Sequence, residues 1–362
     1  MLTAMTAAQP AIAINARPVR APIRVMIVDD SLVARSIFAR VLGNHDQIEI
    51  VCEAEDSEAA LASLEDIKVD IILLDIEMPK RSGLDALPDI QAKAGGARIL
   101  VVSAFAEENG PRAIQALSLG ACDTLAKPGR SGFSGRFSEM LIDKVVRLGR
   151  SGKDRAAVNK AIKIAVSEQT ITRPSCIAIG SSTGGIPAIY EIVSNLDPAL
   201  DCPLFITQHL PEAFMPFFAR QLGSFTERTV KVAEAGEVVR PNFIYVAPGS
   251  AHLIVRKERN KVVIDHQQHY SASRYCPSVD AMFESIAEIY GADAMAIVFS
   301  GMGNDGVHGA RKLSACKASI LVQNVETSVV WGMPGAVARE GLATAILAPT
   351  QMTELLARMA KS

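Results

Sequence analysis

Short apolar runs recur along the chain, each closed by polar or glycine residues and followed by apolar positions at helical spacing. In the first half, Val25–Val28, Ile48–Cys52, Ile71–Leu74, Ile99–Val102 and Thr124–Ala126 predict strands. Helices are predicted over Leu32–Leu42, Ser57–Leu64 and Phe137–Leu148. In the second half, Cys176–Ile179, Leu204–Thr207 and Ala294–Phe299 predict buried strands, the first expected to stop at Gly180. Helical patterns start near Ile186 and Val307, and Lys261–Asp265 reads as a hairpin arm. Apolar runs joined by helices imply parallel sheets covered on both faces. The expected fold class is α/β: two doubly wound parallel-sheet domains joined by a linker. A charged break at Arg150–Arg155 and a closing Pro174 place that linker at 149–173, between domains at 23–148 and 174–362. The Ala-rich residues 1–22 lack a basic leader region and are broken by Pro10, so they read as a disordered extension and not a signal peptide.

The residues that close the first set of runs carry chemistry. Asp29, Asp30, Asp75, Ser103 and Lys127 all follow the apolar part of a strand. In a doubly wound sheet that edge is where ligands bind. Carboxylates gathered there repel one another unless a cation sits among them. Hard oxygen ligands with room for water suit Mg²⁺. A lysine beside them can hold phosphoryl oxygens, and a serine hydroxyl can bond to them.

In the second half, Gly180-Ser-Ser-Thr-Gly184 satisfies G-x-S-x-G in a strand-to-helix turn, which makes Ser182 a candidate nucleophile. On the motif alone, a turn that cradles a phosphate fits as well. A nucleophilic serine needs a base and an orienting acid. His209 directly follows a predicted strand. His252 is expected inside the Gly249–Ala251 turn, and His266 and His269 at the surface beyond the hairpin arm. Asp305 lies in Ser300-Gly-Met-Gly-Asn-Asp-Gly306, whose glycines imply backbone passing close to something. Ser182, His209 and Asp305 thus follow buried strands, and in a parallel sheet those ends cluster. The order Ser, His, Asp is not that of the α/β-hydrolase fold.

Composition narrows the alternatives. The chain has 362 residues, 49% hydrophobic and 21% charged, with no apolar run long enough to span a membrane. A net charge of -2 and a pI near 6.3 give no general attraction to nucleic acid. Six cysteines without a C-x-x-C pair read as reduced thiols of a cytoplasmic protein. A phosphorylation-switched adaptor without enzymatic activity is one competing reading. A DNA-binding regulator is another, but residues 174–362 hold too many buried strands for a helix-turn-helix module, and no basic helix is evident.

On Asp29, Asp30, Asp75, Ser103 and Lys127, residues 23–148 resemble a response-regulator receiver domain. The resemblance implies a flavodoxin-like sheet and phosphoryl transfer from a histidine kinase to Asp75. It implies Mg²⁺ held by Asp29, Asp30, Asp75 and the carbonyl of Glu77, with Ser103 and Lys127 on the phosphoryl group. One departure is Ser82, where receivers commonly carry an aspartate before the glycine. Gly-Ser-Ser-Thr-Gly-Gly at 180–185, Gln-His-Leu-Pro at 208–211, Pro-Ser-Val-Asp at 277–280, the Ser300–Gly306 stretch and Val-Val-Trp-Gly-Met-Pro at 329–334 resemble the chemotaxis protein-glutamate methylesterases. That resemblance implies a Rossmann-like catalytic domain with the triad Ser182, His209 and Asp305, and oxyanion N–H groups near Thr183 and Met302. It implies hydrolysis of glutamate methyl esters, and deamidation of glutamines, on the cytoplasmic helices of chemoreceptors. No cofactor is expected for hydrolysis, no nucleic-acid partner and no membrane insertion. A chemotaxis histidine kinase is the expected phosphodonor. The unphosphorylated receiver is expected to block the substrate path, with phosphorylation sensed through Ser103 and the Phe105 region. Both sites are expected at C-terminal strand edges.

Overall fold

The first sheet is built from β1 (Ile23–Val28), β2 (Ile48–Ala54), β3 (Ile71–Asp75), β4 (Arg98–Ala104) and β5 (Asp123–Lys127), all parallel in the order β2-β1-β3-β4-β5. Helices α1 (Leu32–Gly43), α2 (Ser57–Asp66), α3 (Gly83–Lys93), α4 (Gly110–Ser118) and α5 (Gly135–Ser151) cover it. That order is the flavodoxin-like one. The structure, a computed structural model, describes residues 21–104, 110–127, 135–151 and 171–361. Most of the expected N-terminal extension, most of the expected linker and the Phe105 region lie outside the described residues.

Local chemistry sets the helix starts. Ser31 Oγ accepts from Ala34 N at 3.3 Å, and Asp56 Oδ1 from Ala59 N at 2.9 Å. Ser82 Oγ accepts from Asp85 N at 3.1 Å, so the serine that departs from the receiver pattern caps α3. In α5 the apolar positions Leu141, Val145 and Leu148 recur at helical spacing and are buried under the first sheet. The polar residues between them turn the other way, toward the second half of the chain.

The second half holds β6 (Cys176–Ser181), α6 (Ile186–Ser194), β7 (Leu204–Gln208), α7 (Met215–Gly223), β8 (Thr229–Val232) and β9 (Phe243–Val246). An antiparallel hairpin follows, β10 (His252–Glu258) and β11 (Lys261–Gln267). Then come α8 (Val279–Tyr290), β12 (Ala294–Val298), α9 (Val307–Ala315), β13 (Ser319–Gln323), α10 (Met333–Arg339), β14 (Ala345–Leu347) and α11 (Pro349–Ala360). The main sheet is parallel, in the order β14-β13-β12-β6-β7-β9-β8. Strand order reverses around β6, which places a crevice at its C-terminal end. Among the described residues no helix is long and apolar enough to cross a membrane.

Three expectations are corrected. β6 runs through Gly180 and ends at Ser181, directly before Ser182. His252 is not in a turn: it opens β10 and is buried. His266 lies within β11, half-buried, with Nε2 at 3.0 Å from Ala233 O, because the hairpin packs against the loop after β8.

The two halves pack together. Val330 shares an apolar cluster with Val145 and Leu148 of α5. Gly110 lies so close to Phe217 that an added Cβ would stand 2.6 Å from its ring. Arg98 donates to Val329 O at 3.1 Å, Gln221 to Ser118 Oγ at 2.9 Å, and Gly184 N to Cys122 O at 2.7 Å.

Candidate active site

Ser182, His209 and the loop bearing Asp305 follow β6, β7 and β12, three adjacent strands. The backbone fixes their mutual positions. Ser182 N donates to Ser300 O at 3.1 Å, and Ser182 O accepts from Gln208 Nε2 at 3.0 Å. His209 N donates to Ser181 O at 3.0 Å, and Ser300 Oγ to Thr183 O at 2.7 Å. A Cβ on Gly301 would stand 2.8 Å from Ser182 Cβ, so the loop after β12 must carry glycine there.

His209 Nε2 and Asp305 Oδ2 are 2.8 Å apart, and the Asp305 side chain is fully buried. Asp305 also accepts from Ser278 Oγ at 2.8 Å, Val279 N at 2.7 Å and Asp280 N at 3.2 Å, at the start of α8. Burial by itself pushes this carboxyl up, but the bonds from His209, Val279 and Ser278 outweigh it and hold the group at about 2. An ionised carboxylate accepts, so Nε2 carries the proton. The other ring nitrogen, Nδ1, is buried without a hydrogen-bond partner among the described residues, which leaves its lone pair for a proton. The ring is used in the opposite sense to the serine-protease template, where the carboxylate takes Nδ1. Tyr275 stacks on the imidazole, centroids 4.5 Å apart and planes 12° from parallel.

A cavity of about 360 Å³ joins Ser182, Thr183, His209, Tyr275 and Met302 to Met140, Asp143 and Lys144 of α5. Thr183 Oγ1 donates to Asp123 Oδ2 at 2.6 Å, and the same oxygen pairs with Lys144. Sequence reasoning placed the three strand-end residues here. It missed Tyr275 and Asp123, and reached Ser278 only as part of the Pro277–Asp280 motif. Tyr275 sits in an irregular loop, and Asp123 reads as an ordinary solvated strand start.

At the C-terminal edge of the first sheet, oxygens of Asp29, Asp30 and Asp75 lie within 4.8 Å of one another. Lys127 Nζ stands 2.6 Å from Asp75 Oδ2 and 2.7 Å from Asp29 Oδ2. Burial raises Asp75 to about 6, with Lys127 opposing the rise. Glu77 N donates to Asp75 Oδ1 at 3.3 Å, and Ser103 is buried near the end of β4. Asp30 alone of the three acids is exposed. This hard-oxygen set fits Mg²⁺.

Fold and site define a class: a phosphoryl-acceptor sheet lying over a serine-hydrolase site on a second parallel sheet. The family described as CheB methylesterase matches residues 177–356, and the response regulator receiver domain matches residues 25–132. A protein-glutamate methylesterase/protein-glutamine glutaminase 2 of Caulobacter vibrioides is 38% identical over 350 residues, covering 94% of this chain and 99% of the relative. A protein of the same description from Thermotoga maritima is 35% identical over 338 residues, covering 92% and 97%. The crystal structure of the Thermotoga maritima CheB methylesterase catalytic domain superposes with a TM-score of 0.50 at 36% identity, over 51% of this chain and 98% of that one. The chain belongs to the CheB protein-glutamate methylesterase family, with a receiver domain ahead of the catalytic domain.

Proposed function

We propose that this chain removes methyl groups from glutamate methyl esters of chemoreceptors, and deamidates receptor glutamines, under control of phosphorylation at Asp75. The observation that carries the reading is the buried pair of His209 and Asp305 beside Ser182, with the histidine's second nitrogen unpartnered among the described residues. Ser182 Oγ attacks the ester carbonyl while its proton passes to His209 Nδ1, and Asp305 stabilises the imidazolium. Backbone N–H groups of Thr183 and Met302, both on the cavity wall, take the oxyanion. The imidazolium returns its proton to the leaving methoxide, so methanol departs from the acyl-enzyme. Water, deprotonated by the same nitrogen, then releases the glutamate carboxylate and restores the serine. With glutamine, ammonia is the leaving group.

The receiver unit comprises residues 23–148, the linker 149–173 and the catalytic unit 174–362; α5 already extends through Ser151 into that linker. A chemotaxis histidine kinase supplies the phosphoryl group. Asp29, Asp30, Asp75 and the Glu77 carbonyl would hold Mg²⁺, which neutralises the phosphoryl oxygens when bound. Ser103 and Lys127 contact those oxygens. Without phosphorylation, α5 and the start of β5 narrow access to Ser182, and the bonds from Thr183 to Asp123 and from Gly184 to Cys122 hold that position.

The test is methanol release from membranes carrying methylated receptors of the same cell. Ser182→Ala, His209→Ala and Asp305→Ala should each lower the rate by roughly 10⁴-fold or more with the fold intact. Failure of the wild type to release methanol, or near-normal turnover in Ser182→Ala, defeats the reading.

A further inference from the structure

His252 takes no part in the mechanism above, yet it lies directly behind it. It opens β10 at 3% exposure. Its Nδ1 accepts the N–H of Ser278 at 3.0 Å. Ser278 then gives its hydroxyl to Asp305 Oδ1, and the next two residues give their N–H groups to Oδ2 and Oδ1. All three donors come from one short segment, Ser278–Asp280, and His252 fixes its first residue. An N–H can be accepted only by a ring nitrogen that carries no proton. The bond therefore requires His252 to be neutral.

The surroundings keep it so. Burial lowers the His252 pKa against the pull of the Asp305 carboxylate, and His269 lowers it further. Tyr270 crosses the ring edge-on at 5.8 Å and commits its hydroxyl to Glu284 of α8 at 2.9 Å. Asp280, on the same helix, spends Oδ1 on Gly309 N at 2.8 Å, and burial raises it to about 7. On β11 the residue opposite His252 is Gln267, which is uncharged.

We propose that His252 is a positioning residue for hydrolysis: as a neutral acceptor it fixes the Ser278–Asp280 segment, and through it the Asp305 carboxylate and the His209 ring. The inference rests on the reading of Ser182, His209 and Asp305 as the triad. Protonation of His252 would set an N–H against the Ser278 N–H and drive the segment away from Asp305.

The experiment uses the full chain with acetyl phosphate and Mg²⁺, measuring kcat and KM for methanol release from methylated receptor membranes. His252→Leu removes the acceptor and should lower kcat about 10- to 100-fold, the range for losing one hydrogen bond in a charged network, with KM within about twofold. His252→Asn places an amide oxygen where Nδ1 stands and should restore kcat to within about threefold of wild type. Below the depressed pKa of His252, kcat/KM of the wild type should fall more steeply with decreasing pH than that of His252→Asn, the logarithmic slopes differing by about one, since only the wild type carries a ring here that must stay unprotonated. A folded His252→Leu within about threefold of wild type, or an Asn variant as slow as Leu, overturns the proposal. If the Leu variant does not fold, the slopes decide, and equal slopes in wild type and His252→Asn overturn it as well. Ser182→Ala separates the two readings. If it loses turnover while His252→Leu keeps it, only the role of His252 falls; if it keeps turnover, the triad falls too.

Discussion

Asp123→Ala should raise the basal esterase rate of the unphosphorylated chain. Asp123 sits in the receiver half, its side chain 15% exposed, and accepts the Thr183 hydroxyl at 2.6 Å across the domain junction. Its second partner, Lys144, belongs to the same half, so that ion pair persists however the halves are arranged and does not bias them. The bond from Thr183 exists only when the receiver lies over the catalytic loop. Charge-assisted bonds of this kind contribute about 1.5–3 kcal/mol net. Once the halves separate, water replaces the partner of each group, so nearly all of that energy favours the covered arrangement. Its loss should raise the open-to-covered ratio roughly 10- to 150-fold, capped where the chain is fully open. Asp123→Asn keeps a neutral acceptor worth about 0.5–1.5 kcal/mol and should fall between wild type and Ala. The assay is methanol release without phosphodonor, then with acetyl phosphate and Mg²⁺. The basal rate should rise about tenfold or more, and stimulation by phosphorylation should shrink by the same factor, because the activated rate has a ceiling. Labelling of Asp75 should be unchanged. A basal rate within about twofold of wild type in a folded Asp123→Ala protein would refute the argument, since the bond would then carry none of the closure energy.

Other expectations follow from the same geometry. Asp75→Asn should abolish Mg²⁺-dependent labelling by acetyl phosphate, because an amide oxygen is a poor nucleophile. The folded pKa of Asp75 is raised from 3.8 to about 6, so its contribution to stability is fullest below pH 4 and declines as pH rises through 6. The same variant should therefore melt higher than wild type at pH 7.5, by at most about 3 kcal/mol, with the gain gone near pH 4. Asp305 has the opposite sign: held at about 2 against 3.8, it contributes stability above pH 4 that is lost as pH falls through 2. Asp305→Asn should be less stable at pH 7 by about 2 kcal/mol and show a flatter acid unfolding profile between pH 4 and 2. A fragment from Pro174 to Ser362 should hydrolyse receptor esters faster than the unphosphorylated whole and ignore acetyl phosphate; a slower fragment argues for activation by the receiver in place of obstruction.

Much of this arrangement was legible because buried parallel strands are continuous apolar runs that end abruptly. β3, β6, β7 and β12 are buried along their whole length, so the first polar residue after each marks a sheet edge. That is how Asp75 and His209 stood out, while Ser182 was marked by its G-x-S-x-G turn and Asp305 by the glycines around it. β8, β9 and β14 have four, four and three residues, too few for periodicity to register. His252 was misread because Gly249–Ala251 looks like a turn and a histidine scores as polar, whereas this one is buried with its nitrogen matched to Ser278. The docking of the two halves left no local signature. Thr183 and Asp123 stand 60 residues apart, and each resembles any surface polar residue. The expectation that both sites occupy C-terminal strand edges describes each sheet correctly, but the edges do not meet. Thr183 and Gly184 of the catalytic loop touch Asp123 and Cys122, and Val329 before α10 touches Arg98, residues at or next to the N-terminal ends of β4 and β5.

β5 spans the gap between the two chemistries. Lys127 closes it among the acids, and Asp123 opens it against the catalytic loop. Four residue steps of strand make a strut about 13 Å long. A strand paired along one side resists stretching, so a displacement at the lysine end can reach the aspartate end as tilt or sliding. Sensor and output therefore share one short mechanical part, and its two tips can drift independently over evolutionary time. Substitutions at residues 122 and 123 would reset how much activity leaks through at rest, while those around Lys127 would reset how far each phosphorylation moves the strut. Relatives working against different receptor loads could thus be retuned in gain without a change to any reacting group.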